Sequence, residues 1–136
     1  MKIVFNFAGK TFKGPVSELV DDYMKRIQRY VPAEIIEAKS IRKQTREGIH
    51  IVLSPSGQMM SSETFAEFIS NNLNSSTKHL FFYTGAPEGH EKAFEKDAGL
   101  LLSFSNMTFN HQLIRVMLLE QVYRAFTIIR GEKYHK

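Results

Sequence analysis

The stretch His79-Leu80-Phe81-Phe82-Tyr83-Thr84-Gly85-Ala86-Pro87-Glu88-Gly89 decides the fold class. Its first six residues are aromatic and strand-prone, and the run ends abruptly at two glycines enclosing a proline-stiffened turn. Helical patterns flank it. Upstream, Ser61-Ser62-Glu63 offers hydroxyl caps and an acidic first turn to a helix carrying Phe65, Phe68, Ile69 and Leu73 on one side. Downstream, Glu91 to Asp97 can form a short helix before Leu100 to Phe104, a fifth strand. Further out, Ile49 to Leu53 reads as a strand punctuated by Ser54-Pro55-Ser56-Gly57, and Ile35-Ile36 marks another. Lys2 to Ala8 is a buried strand. After Gly14-Pro15, Val16, Leu19, Val20, Tyr23, Met24, Ile27 and Tyr30 recur at helical spacing and stop before Pro32. A loop from Ser105 to Asn110 leads into the longest helix, Gln112 to Ile129. This alternation predicts an α/β layer fold with a mostly parallel, five-stranded sheet. Ligands bind such sheets beyond the carboxyl ends of the strands, so the loops Leu53 to Gly57, Gly85 to Gly89 and Phe104 to Asn110 are expected to converge on one pocket.

With 136 residues, 43% of them hydrophobic, the chain suits one core and a single domain, residues 1–136. No apolar run approaches the roughly 20 residues that cross a bilayer, and Met1-Lys2-Ile3-Val4-Phe5 enters a strand pattern without a cleavage site, so a cytoplasmic location and no membrane are expected. Zero cysteines exclude disulfides and thiolate metal sites, and the five histidines are scattered, so no metal is expected. A net charge of +4 permits a polyanionic partner without demanding one. Lys39, Arg42, Lys43 and Arg46 fall in one short basic loop, and Arg115, Arg124, Arg130, Lys133 and Lys136 line the last helix and tail. The glycine-rich loop has neither the Walker A sequence nor the G-x-G-x-x-G spacing, so phosphate-driven chemistry is unsupported. The helix Gln112 to Ile129 is apolar nearly all round and must be covered on several sides, which favours a dimer over a monomer core. Glu120 and Arg124, four apart, can pair along it.

Leu102-Ser103-Phe104-Ser105-Asn106-Met107-Thr108-Phe109-Asn110-His111-Gln112-Leu113-Ile114-Arg115, then Leu119-Glu120-Gln121-Val122-Tyr123-Arg124-Ala125-Phe126, then Tyr134-His135-Lys136, resembles the signature of the RlmH family of SPOUT methyltransferases. Gly85-Ala86-Pro87-Glu88-Gly89 is similar to that family's glycine-rich loop, and Leu53, Gly57 and Ser61-Ser62-Glu63 to its middle segment. The resemblance implies a SPOUT-type α/β knot, with a C-terminal trefoil knot that binds S-adenosylmethionine, and a homodimer. It implies a cofactor site made by Leu53, Gly85 and the loop Phe104, Ser105, Asn106, Met107, Thr108 and Phe109. The implied substrate is a pseudouridine of 23S large-subunit rRNA, methylated at N3 in the assembled ribosome.

Removing the N3 proton calls for a nearby base or cation. Arg115, Tyr134 and His135 are the candidates, with His111 and the Glu120–Arg124 pair organising the loop and helix. The tail Tyr134-His135 is expected to complete the pocket of the other subunit. Two rival readings are another SPOUT RNA methyltransferase with a different target, and a non-catalytic RNA- or ribosome-binding relative. The chain departs from the family at four places. Only Lys39 to Gly48 stands where a helix usually joins the second and third strands, Asn110 stands where proline is common, Lys133 where many members have proline or alanine, and Ala86 replaces a frequent glycine.

Overall fold

Five strands, β1 (Lys2–Ala8), β2 (Ala33–Ala38), β3 (Ile49–Met59), β4 (His79–Thr84) and β5 (Leu100–Ser103), form one sheet in the computed structural model. They lie in the order β2-β1-β4-β3-β5, and every pairing is parallel. Among the described residues the helices are α1 (Pro15–Ile27), α2 (Ser62–Asn74), α3 (Lys92–Lys96) and α4 (His111–Ile129). Residues 1–85 and 92–136 are described. Ala86 to Gly89 of the glycine-rich loop and Glu91 of the expected short helix lie outside them.

Strand side chains alternate between the two faces of the sheet. Ile3, Phe5, Phe7, Ile51, Leu53, Leu80, Phe82 and Leu102 join the larger core with α1, α2 and α4. Val4, Val52, Phe81 and Tyr83 form a smaller cluster with Ile41, Phe94 and Ala98 on the opposite face. Both faces are covered, and for that reason β1 and β4 read as nearly unbroken apolar runs. Helix α4 packs against both α1 and α2. Those helices and the sheet account for most of its apolar circumference, and Leu113 near its start is the residue left exposed. The dimer argued from that circumference therefore loses most of its sequence basis.

Strand β3 is longer than its turn residues suggest. Leu53 and Gln58 both pair with Leu102, so Ser54 to Gly57 bulge out of the strand instead of ending it. Pairing with β5 on both sides of the bulge outweighs the local turn signal. A Cβ on Gly57 would lie 2.7 Å from the backbone of Leu101 and Leu102, which is why this return to β5 uses glycine.

The ten residues from Lys39 to Gly48 replace a helix with an extended strap. It must carry the chain from the edge strand β2 past β1 and β4 to β3, and it does so across the smaller face. Gln44 anchors it: its Nε2 donates to Oδ1 of buried Asn6 at 2.9 Å, and its backbone N–H donates to the Tyr83 hydroxyl at 3.0 Å. Ile41 packs inward, and the Arg46 guanidinium lies 5.5 Å above the Phe81 ring. At the far end, a Cβ on Gly48 would sit 2.4 Å from the His79 carbonyl oxygen. Gly48→Ala should therefore push β3 and β4 apart and lower unfolding free energy by about 2 kcal/mol, measurable in urea melts.

The same face carries a titrating group. His50 Nδ1 lies 2.7 Å from the Tyr83 hydroxyl, and burial, then the Lys43 charge, lowers its pKa below the ordinary 6.5. Neutral His50 accepts the Tyr83 proton; protonated, it cannot. Below pH of about 6.5 the unfolded chain gains a proton that folded His50 resists, so stability falls on acidification. The melting temperature should drop between pH 7 and 5, and the drop should be smaller in His50→Asn.

Candidate functional site

At the carboxyl ends of β3, β4 and β5 lies a cavity of about 540 Å³. Three segments meet there. The β3 bulge contributes Leu53, Ser54 and Pro55; the end of β4 contributes Thr84 and Gly85; the segment after β5 contributes Phe104, Ser105, Met107, Thr108 and Phe109. His111 and Ile114 of α4 close one wall. Of the expected cofactor residues, Asn106 alone is off the lining, although it belongs to the same loop.

Serine side chains shape that loop. Ser103 Oγ donates to the Ser105 carbonyl at 2.9 Å and accepts from the Ser105 N–H at 3.2 Å, and Ser105 Oγ accepts from the Met107 N–H at 3.0 Å. These local turns replace strand pairing and swing the backbone around the cavity. Asn110, where proline would be common, caps α4 by accepting the Gln112 N–H at 2.8 Å. The departure thus keeps a defined helix start.

Arg115 lies elsewhere. It is fully buried and does not line that cavity. Its Nη1 donates to the Gly9 carbonyl and the Thr11 hydroxyl, each at 3.0 Å, its Nη2 donates to the Ala8 carbonyl, and Glu37 is 3.6 Å away. Burial pulls its pKa down, with Glu37 opposing. One turn earlier, Gln112 holds the same segment, accepting the Phe12 N–H at 2.8 Å and donating to the Lys10 carbonyl at 3.0 Å. Expected as a cation for the reacting base, Arg115 instead fastens the start of α4 to the end of β1, and so positions His111 on the cavity wall.

Tyr134 and His135 form a separate cluster. The Tyr134 hydroxyl donates to Glu120 Oε2 at 2.8 Å, and Arg124 Nη2 reaches the same oxygen at 2.8 Å, so the expected Glu120–Arg124 pair is present. His135 bridges Arg124 Nη1 and Glu63 Oε1, each at 3.0 Å. Burial, then hydrogen bonding to Tyr23 and Glu120, raises the Tyr134 pKa. It is held as a proton donor, not a base. Between this cluster and the first cavity lies a second of about 350 Å³, which shares Leu102, Ser103 and Phe104 with the first and is bordered by Glu120.

Residues 1–135 match the model of a family described as "Predicted SPOUT methyltransferase". The chain belongs to the SPOUT methyltransferase family. Among curated proteins this SPOUT chain is 46% identical, over the full length of both, to "Ribosomal RNA large subunit methyltransferase H" of Coprothermobacter proteolyticus. It is 37% identical to the protein of that name from Geobacter sp. (strain M21), covering 99% of each chain. That alignment runs over 152 positions, more than the 136 residues present here. A solved structure, a probable methylase family protein from Haemophilus influenzae, superposes with a TM-score of 0.58 at 10% identity, over 96% of the SPOUT chain and 66% of the other. That likeness concerns the fold.

Several lining residues of the SPOUT methyltransferase were missed in its sequence. Ser54 and Pro55 fall within the loop Leu53 to Gly57 expected at the pocket but were not singled out as site residues, and Glu95 carries no signal at all. Thr84 had one: it is the hydroxyl residue that ends an otherwise aromatic strand, next to Gly85.

Proposed function

We propose that the chain methylates large-subunit ribosomal RNA, at N3 of a pseudouridine of the 23S molecule in the assembled ribosome, with S-adenosylmethionine as methyl donor. Residues 1–136 serve as one cytoplasmic methyltransferase domain; no helix of the described residues is long and apolar enough to cross a membrane. The observation that carries this reading is the meeting of Leu53, Gly85 and the Phe104 to Phe109 loop on one cavity in a chain of this family. The lining fits the cofactor: apolar Leu53, Leu102, Met107, Phe109 and Ile114 suit an adenine ring, and Ser54, Thr84, Ser103 and Thr108 offer polar partners. When bound, the cofactor supplies an electrophilic methyl group on sulfur. The chain supplies orientation, an apolar wall, and the His111 imidazole on the lining.

Several finer features belong to the same proposal. Phe12, Met107, Phe109 and Leu113 are exposed, and the Phe12 ring stands 6.0 Å from His111, so large apolar side chains surround the cavity mouth. This supports a homodimer closing over it, in which each Tyr134-His135 tail, anchored on its own α4, faces the neighbour's pocket. A C-terminal trefoil threading belongs to the same proposal.

Incubation with labelled S-adenosylmethionine and ribosomes, with or without the pseudouridine, tests the function. Label confined to the pseudouridine-bearing ribosomes and located at N3 is expected. Equal label on both would favour another target. Ribosome binding without any transfer would favour a non-catalytic relative.

A further inference from the structure

Thr84 ends β4, the strand at the middle of the sheet, and is only 1% exposed. Its Oγ1 has no hydrogen-bond partner among the described residues. A buried hydroxyl left unpaired is destabilising, so such atoms call for an explanation. The other such side-chain atom, Arg115 Nε, belongs to a guanidinium already held through Nη1 and Nη2. Thr84 has no comparable compensation. It lies on the wall of the 540 Å³ cavity, beside Gly85.

Shape does not account for the residue, because valine fills nearly the same volume without the hydroxyl. Nor does an internal network. The neighbouring buried serines satisfy themselves locally, Ser103 through Ser105, and Ser54 through the Ser56 hydroxyl at 3.0 Å and N–H at 3.3 Å. Thr84 remains a polar group stored at an apolar strand end, on the lining of the cavity.

We propose that the Thr84 hydroxyl is a hydrogen-bonding ligand of the cofactor held in this cavity. The proposal rests on the reading that the cavity takes S-adenosylmethionine. A hydroxyl can donate to a ring nitrogen or sugar oxygen, or accept from an amine, and it exchanges an unsatisfied state for a satisfied one on binding. Binding and apo stability are thereby tied to one atom with opposite signs.

The test measures apo melting and S-adenosylmethionine titration calorimetry on wild type, Thr84→Val, Thr84→Ala and Thr84→Ser. Thr84→Val should melt above wild type without cofactor, since the unpaired hydroxyl is gone, yet bind about tenfold more weakly. Thr84→Ala should lose affinity similarly, which keeps the test open should the valine protein fold poorly. Thr84→Ser keeps the hydroxyl and should bind within about threefold of wild type. If Thr84→Val and Thr84→Ala bind like wild type, the hydroxyl is no ligand and the proposal fails while the cavity assignment stands. If wild type itself takes up no S-adenosylmethionine, the cofactor reading falls first and this inference with it.

Discussion

Gly85→Val is expected to lose S-adenosylmethionine binding by at least about a hundredfold, beyond calorimetric detection, with the fold intact. Gly85 follows Thr84 directly and forms part of the cavity wall where β4 gives way to its loop. An isopropyl group there would take up space that the ligand needs, and a close-packed wall cannot yield it without strain of several kcal/mol. The residue is half-buried at a strand end, outside both hydrophobic clusters, so the melting temperature of the apo protein should move by no more than a few degrees. An isotherm matching wild type would show that the cofactor does not approach this wall.

The second large effect concerns the strap. Lys39, Arg42, Lys43 and Arg46 are all exposed, while Ile41 and Gln44 between them fix the backbone to the sheet. Four cations on an anchored ridge would meet a phosphate backbone without the entropic cost of ordering a loop. Arg46 is the least free of the four, lying 3.6 Å from Glu34 and over Phe81. Changing all four to glutamine keeps both anchors, and should weaken ribosome binding about a hundredfold near physiological salt. The slope of log affinity against log salt should flatten by about 3, at roughly 0.7–0.9 for each phosphate that is no longer neutralised. None of the four lines the cofactor cavity, so S-adenosylmethionine affinity should not change. An unaltered salt slope would reduce the strap to a solvated surface.

Much of this architecture was legible because it rests on periodicity. Ile3, Phe5 and Phe7 alternate with Val4 and Asn6, and that spacing alone places a strand with two covered faces. The meeting of the β3 loop and the Phe104 to Asn110 loop with Gly85 was legible for a related reason, since a parallel sheet puts every strand's carboxyl end on one side. What stayed hidden depends on residues far apart in the chain. Gln44 finds Asn6 across 38 positions, and nothing in Lys39 to Gly48 announces that its odd polar residue is an anchor. Arg115 sits on an apolar helix like any cation with a functional task, and only the carbonyls of Ala8 and Gly9, more than 100 positions away, reveal a clamp. The β3 bulge failed to register because Ser-Pro-Ser-Gly ends a strand unless a neighbour continues it, and β5 does.

Strand order carries a last consequence, for how the chain is made. Both neighbours of β4, β1 and β3, are synthesised before it, yet it lies between them. A nascent chain that has reached Asn74 holds β1, β2, β3 and two helices, but not the strand that joins the two halves of the sheet. Until His79–Thr84 emerge from the ribosome, β1 and β3 each keep an unpaired edge facing the gap. The N-terminal half alone therefore leaves the sheet open at its middle, and closure depends on contacts of long sequence separation. An arrested or truncated product is exposed to association through those edges, whereas the finished chain seals both with a single six-residue strand.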